Sequence, residues 1–343
     1  MSRKQSFLPN LRDKIKSNST KLFKETKLFD HSMKKQVFVK KEAVGEFGKK
    51  PEERTPEEII NYGIVNLDKV KGPSSHQVSD YVQKILHITK AGHSGTLDPQ
   101  VTGVQPIALG KATRITQFLL KAPKEYVCLM HLHKEVKEEK LKEEVSKFIG
   151  KIEQLPPIKS AIKRQLRTRE IYEFEILEIK GQDVLFRVKC QAGTYIRKLV
   201  HDLGQALEVG AHMAELRRTQ AGPFREEDNL VTLQDLQDAY YFYKEEGNSK
   251  YLFHCIQPVE NALKHISKCW IFDTTITSLS NGRDLGVPGI SKLENFKKGE
   301  IVAVMSLNEE LIAVGEALMS AVEINTKEKG LAVNIQKVFV DAQ

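Results

Sequence analysis

The chain has 343 residues, of which 40% are hydrophobic and 29% charged, so it is a globular chain long enough for two domains, not a disordered one. Its 53 Lys and Arg against 45 Asp and Glu give a net charge of +8, which favours a polyanionic partner. A mean hydropathy of −0.38 and the lack of any apolar run of spanning length exclude an integral membrane protein.

Residues 1–56 are lysine-rich and without periodicity, and are read as a basic arm, loose or packed on another part of the molecule. It has no apolar stretch followed by a small-residue cleavage site, so a secretory signal is not expected. Tyr62 to Leu67 predicts a short strand. Lys71-Gly72-Pro73-Ser74-Ser75 is a turn with serine as helix cap, and Val78, Tyr81, Val82, Ile85 and Leu86 follow at helical spacing. His93 to Gly103 is polar and rich in Gly and Thr, and is read as a tight loop between helices. The second of these helices carries Ile115, Phe118 and Leu119. Tyr126, Cys128, Met130 and Leu132 alternate along a strand over Lys124–His133.

Leu141, Val145 and Phe148 mark a helix ended by Gly150. After Pro156-Pro157 and a basic run come strands near Tyr172–Ile179 and Val184–Cys190. A helix then carries Ile196, Leu199, Val200, Leu203 and Leu207. This mixture is neither a regular βαβ alternation nor all-β, and predicts an α+β fold with a mixed, largely antiparallel sheet over residues 57–262. From residue 263 to 343 short β-branched runs separated by Gly and Pro turns predict a small, separate β-rich domain, with Ile301–Met305 and Leu311–Val314 as hairpin strands.

Cys128, Cys190, Cys255 and Cys269 are far apart, with no Cys-x-x-Cys pair. They are expected to be small buried hydrophobes in a reduced intracellular compartment, with neither a disulfide framework nor a zinc site. His131 and His133 share a strand face but lack a nearby third ligand in sequence, so they are expected at the surface rather than on a metal. No metal or other cofactor is expected.

The most informative segment is His93-Ser94-Gly95-Thr96-Leu97-Asp98-Pro99-Gln100-Val101-Thr102-Gly103-Val104. Its bland reading is an Asp-started turn; its functional reading is a carboxylate held on a rigid loop as nucleophile or base. Lys159 to Arg169 is a strongly basic run, either a solvated face or a phosphate-gripping loop that includes Lys163, Arg164 and Arg167. Gly193-Thr194-Tyr195-Ile196-Arg197 brings an aromatic ring and a guanidinium together at a strand-to-helix junction.

His93–Val104, Lys124-Glu125-Tyr126 and Gly193–Arg197 resemble, in order, the three active-site motifs of the TruB family of pseudouridine synthases. Ala122–Val136, Pro156–Arg169 and Gly210–Phe224 are similar to its box H/ACA guide-RNA branch, the archaeal homologues of dyskerin. Asn281–Ile290 and Lys298–Gly315 resemble the PUA domain that ends those proteins. The resemblance implies an RNA pseudouridine synthase that needs no metal or redox cofactor. It implies Asp98 as nucleophile, Arg197 as its partner, Tyr126 as the ring stacked on the flipped base, and Tyr195 as a pocket wall and the base for the C5 proton. It places His93, Leu199 and Leu216 in the substrate pocket, and the basic loop on substrate phosphates.

The implied partners are a box H/ACA guide RNA and a ribosomal or transfer RNA substrate. Three small proteins are implied as well: one like a zinc ribbon, one β-barrel and one kink-turn binder. Val70 stands where the family usually has proline, and Ser94 where archaeal members often have glycine. The absence of a lysine-rich tail points to an archaeal, cytoplasmic setting; a eukaryotic source would imply the nucleolus. The alternatives are a stand-alone tRNA pseudouridine synthase and, from another class, a non-catalytic RNA-binding scaffold.

Overall fold

A computed structural model of the chain describes residues 36–156 and 164–340, and two sheets organise them. In chain order the first part comprises β1 (Val37–Val39), α1 (Pro56–Tyr62), β2 (Gly63–Lys69), α2 (Ser75–Leu86), β3 (Ala91–His93), β4 (Thr102–Leu109) and α3 (Thr116–Lys121). Then come β5 (Lys124–Leu132), α4 (Glu138–Lys147), β6 (Gly150–Gln154), β7 (Arg167–Lys180), β8 (Asp183–Cys190), α5 (Ile196–Ala206), β9 (Ala211–Ala221) and β10 (Phe224–Arg225). Helices α6 (Leu233–Glu246) and α7 (Lys250–Cys255) and strand β11 (Gln257–Pro258) complete this half. The second half contains β12 (Ser267–Ile271), α8 (Asp273–Ser280), β13 (Leu285–Gly286), β14 (Ile290–Glu294), β15 (Ile301–Met305), β16 (Leu311–Ala317), α9 (Ala321–Thr326) and β17 (Leu331–Val338).

The larger sheet runs β11-β2-β4-β9-β5-β8-β7-β6, with β3 on β4 and β10 on β9. All its pairs are antiparallel except β4 with β9. The predicted α+β class with a largely antiparallel sheet is therefore the observed one. Alternation explains β5: Cys128, Met130 and Leu132 are buried against Leu199, Val200 and Leu203 of α5. Ser74 begins α2 with a capping box to Gln77, and Val78, Val82 and Leu86 form its buried face. Each such fully buried aliphatic side chain contributes roughly 1.5–3 kcal/mol relative to exposure. All four cysteines are free and buried. Among the described residues no helix is long and apolar enough to cross a membrane.

The second sheet runs β1-β14-β12-β15-β16-β17-β13, so residues from the N-terminal arm form its edge strand. The two sheets share a core: Trp270, Met305, Leu311 and Phe339 pack in one cluster with Ile64, Phe118, Leu119 and Val259. Arg54 pins this junction. Its guanidinium makes a bidentate bond to Glu260 (2.8 and 2.7 Å) and lies 3.7 Å from Glu310, while Glu260 also accepts the Leu311 N–H at 3.1 Å. Residues 37–54 of the arm and this shared core join the second half to the first.

Candidate active site

Asp98 lies on the segment between β3 and β4. The predicted loop between helices is a loop between strands, because Thr102–Leu109 continues as a buried strand between β2 and β9. The segment is tied down from several sides. Val101 N–H donates to Asp98 O (2.9 Å), which closes the turn, and Gly72 N–H donates to Pro99 O (2.8 Å). The Ser75 hydroxyl accepts the Leu97 N–H at 2.8 Å. Lys69 Nζ donates to Val101 O (2.8 Å) and Pro99 O (3.3 Å). Gly103, at φ +107°, lies so close to β9 that a Cβ would meet the Arg218 carbonyl oxygen at 2.1 Å. Val70, where the family usually carries proline, is exposed.

The Asp98 carboxylate itself reaches solvent and pairs with Arg197 Nη2; their side chains are 55% and 57% exposed. Arg197 stands in the first turn of α5. That helix starts where the sequence places it because Gly193 takes φ +80° and the Gln154 side chain bonds both the N–H (3.0 Å) and the carbonyl (3.2 Å) of Tyr195, the residue before it. Tyr126, on β5, is the register partner of Arg218 on β9. Burial raises its phenol pKa, Arg218 pulls it down, and Asp98 is close enough to add to the rise. The structure thus brings Asp98, Tyr126 and Arg197 together from three separated motifs.

Other predicted residues fall as follows. His93, beside the loop, has its imidazole pKa lowered to about 4 by burial, reinforced by His76 and Arg218; its ring packs edge-on to His76 at 4.8 Å. Leu216 is half-buried and packs on the core beside Tyr126. Leu199 has no exposed surface and lies in that core, so it backs the wall rather than forming its face. Arg164 is exposed and Arg167 half-buried near the start of β7; Lys163 lies outside the described residues. The His131 imidazole is 2.7 Å from Asp183, and His133 is 3.1 Å from His212. Among the described residues no group of three or more His, Cys, Asp or Glu could hold a metal ion.

Sequence reasoning missed the cations behind the loop. Arg218, Lys69 and Lys124 are 1%, 1% and 5% exposed. Arg218 Nε donates to Val104 O (2.7 Å) and Nη2 to Gly95 O (3.3 Å). Lys124 Nζ donates to the carbonyls of Leu119, Leu120 and Ala122 at 2.7–2.9 Å, and burial lowers its pKa to about 7. Among the described residues none of the three has a carboxylate bound to it. The neighbouring Arg217 differs: it binds Asp68 at 2.9 and 3.2 Å and also bonds Glu226. Leu216-Arg217-Arg218 forms a second arginine cluster in the sequence, and its burial follows from the central place of β9 in the larger sheet.

Family models match almost the whole chain: the TruB family pseudouridylate synthase N-terminal domain over residues 83–196, the tRNA pseudouridylate synthase B C-terminal domain over 197–264, a PUA domain over 268–339 and a DKCLD (NUC011) domain over 28–79. A Pyrococcus furiosus protein named "Probable tRNA pseudouridine synthase B" is 52% identical over 90% of this chain and 92% of its own length. One of the same name from Methanothermobacter thermautotrophicus is 53% identical over 86% and 91%. The crystal structure of a Cbf5-Nop10-Gar1 complex contains a chain 51% identical, with TM-score 0.86 over 91% of this chain and 96% of that one. A chain in the structure of an H/ACA RNP bound to a substrate RNA containing 2'-deoxyuridine is 50% identical, with TM-score 0.84 over 91% and 96%.

Proposed function

This chain belongs to the TruB family of pseudouridine synthases, and from that premise we propose that it is the catalytic subunit of a box H/ACA guide ribonucleoprotein that isomerises uridines of ribosomal RNA. The reading is supported by its likeness to the chains in the Cbf5-Nop10-Gar1 and substrate-bound H/ACA RNP structures. The guide RNA selects the uridine by pairing, and the half that matches the PUA domain docks the guide. The three small proteins, zinc-ribbon-like, β-barrel and kink-turn-binding, complete the particle, in the cytoplasm of an archaeal cell. The names of the relatives favour a second activity, guide-independent modification of tRNA.

The observation that carries the chemistry is the solvent-facing Asp98–Arg197 pair on a loop whose backbone is fixed from behind. The target nucleotide is flipped out of its stack to reach the site. Asp98 acts as the nucleophilic carboxylate, and Arg197 orients it. The N1–C1′ bond of uridine breaks as the Asp98 carboxylate bonds to C1′, the detached uracil turns, and C5 displaces the carboxylate from C1′. The C5 proton then leaves, with Tyr195 as its acceptor, and N1 gains a proton, so the change is an isomerisation. Tyr126 stacks on the ring, and Leu216 closes the apolar side against loss of the free base. His93, neutral at physiological pH, flanks the loop without adding charge. Lys163, Arg164 and Arg167 hold substrate phosphates, which fixes position rather than sequence.

The test is tritium release from C5-tritiated RNA, with a tRNA transcript for the protein alone and a guide-paired target for the reconstituted particle. Wild type releases tritium and Asp98→Asn does not, while their RNA affinities agree within a few-fold. Inertness of wild type on both substrates contradicts the proposal. Release from tRNA alone would leave only the tRNA activity.

A further inference from the structure

Helices α1, α2, α6 and α9 each start with a capping box of their own: Thr55 with Glu58, Ser74 with Gln77, Thr232 with Asp235 and Ser320 with Glu323. Helix α5, which carries Arg197 in its first turn, begins without one. Its cap residue is Tyr195, whose side chain makes no capping bond, and Lys198 occupies the third helical position, where an ammonium has no acceptor to offer. Gln154, the last residue of β6 and only 2% exposed, supplies the acceptor from a distant strand. Its Oε1 accepts the Tyr195 N–H at 3.0 Å, and its Nε2 donates to the Tyr195 carbonyl at 3.2 Å. That carbonyl also takes the first bond of the helix, from the Leu199 N–H at 2.9 Å. Holding both backbone groups needs a donor and an acceptor on one side chain, which an amide has and a carboxylate lacks. Strand β7 adds a second hold: Arg169 lies against Gly193, where a Cβ would meet its guanidinium at 3.2 Å. The pair of Arg197 with Asp98 does not set its own geometry. Both side chains are more than half exposed, and an ion pair in water is weakly held. Its geometry is therefore imposed through the two backbones. Lys69 and Arg218 hold the Asp98 loop, and the Gln154 amide holds the start of α5.

We propose that Gln154 is a positioning residue for the isomerisation: its amide fixes the start of α5 and so keeps Arg197 aimed at Asp98. The inference rests on the reading of Asp98 and Arg197 given above. Gln154 is buried and acts only through the backbone that carries Arg197, two residues beyond Tyr195 on the same turn. Small displacements suffice, since a shift of about 1 Å in an active-site group can cost about 100-fold in rate.

The test is single-turnover tritium release by the reconstituted particle carrying Gln154→Met or Gln154→Glu, with Asp98→Asn as the blank and RNA affinity and unfolding measured in parallel. Gln154→Met keeps the length of the side chain and removes the amide. It is expected to slow release roughly 100-fold with RNA affinity changed less than about threefold. In an Arg197→Lys background the same change is expected to slow release by less than about threefold more, because Gln154 acts through Arg197. Gln154→Glu keeps the shape, but its ionised form has no donor for the Tyr195 carbonyl, and protonation restores one. Burial raises the pKa of such a carboxyl, so the rate of Gln154→Glu relative to wild type is expected to rise at least about fivefold between pH 8 and pH 6. Full-rate release by a folded Gln154→Met overturns the proposal. Equal slowing in both backgrounds, the mark of a merely structural residue, overturns it too. If Gln154→Met does not fold, Gln154→Glu decides alone, and a ratio to wild type that does not rise as pH falls overturns the proposal. Each of these results, obtained with an inert Asp98→Asn and an active wild type, leaves the synthase reading standing; an inert wild type defeats that reading instead.

Discussion

Arg54 and Arg218 are both buried, and their surroundings treat them in opposite ways. At the junction of the sheets Arg54 meets Glu260 and Glu310. Burial alone would lower its pKa, but the carboxylates more than offset this and the net shift is upward. Behind the catalytic loop Arg218 donates to carbonyls, burial dominates, and its pKa falls. The first arrangement ties the arm to both sheets. The second leaves a buried guanidinium, with no carboxylate bound to it among the described residues, behind the loop that carries Asp98. The junction is organised for stability and the loop for chemistry.

This contrast can be broken from either side. The largest effect on stability is expected at the junction. Glu260→Gln leaves Arg54 with only the more distant Glu310 as a charged partner and sets an amide NH2 against the guanidinium where a carboxylate oxygen accepted, and should cost roughly 3–5 kcal/mol in denaturant unfolding, with turnover per folded molecule near wild type. Gly103→Ala comes next. It forces a Cβ against the Arg218 carbonyl and strains a left-handed backbone, so it should cost roughly 1–3 kcal/mol and slow tritium release about tenfold or more by shifting the loop.

The smallest effect is a pH dependence. The folded pKa of His93, about 4, lies below its ordinary 6.5, so the native state binds fewer protons in that window and stability falls as pH drops through it. His93→Gln should flatten this loss. Unfolding curves of both proteins at pH 7 and pH 4.5 would check it, and equal losses would show that another group is responsible.

The sequence made much of this legible where one physical signal was enough. Alternation located β5, and the Ser74 cap with its helical period located α2. The three motifs named Asp98, Tyr126 and Arg197, which the fold assembles. Where two signals compete, reading fails. In β4 the Gly, Thr and Pro residues that mark loops occupy a strand buried on both sides, since Gly103 is needed for close approach to β9. In β9 the charges of Arg217 and Arg218 mask a central strand, because their partners, Asp68, Glu226 and the loop carbonyls, come from distant parts of the chain. Leu199 had the right spacing for either wall or core, and only the packing of α5 on β5 decides for the core.

The most direct measurement is to take Asp98→Asn and Glu260→Gln through the same two assays, denaturant unfolding and single-turnover tritium release in the reconstituted particle. The two variants are expected to cross. Asp98→Asn keeps stability within about 1 kcal/mol, since its pair with Arg197 is more than half exposed, and loses at least about 10⁴-fold in rate. Glu260→Gln does the reverse. If Asp98→Asn instead loses stability and rate in parallel, or turns over like wild type, the division between a structural junction and a chemical loop is wrong.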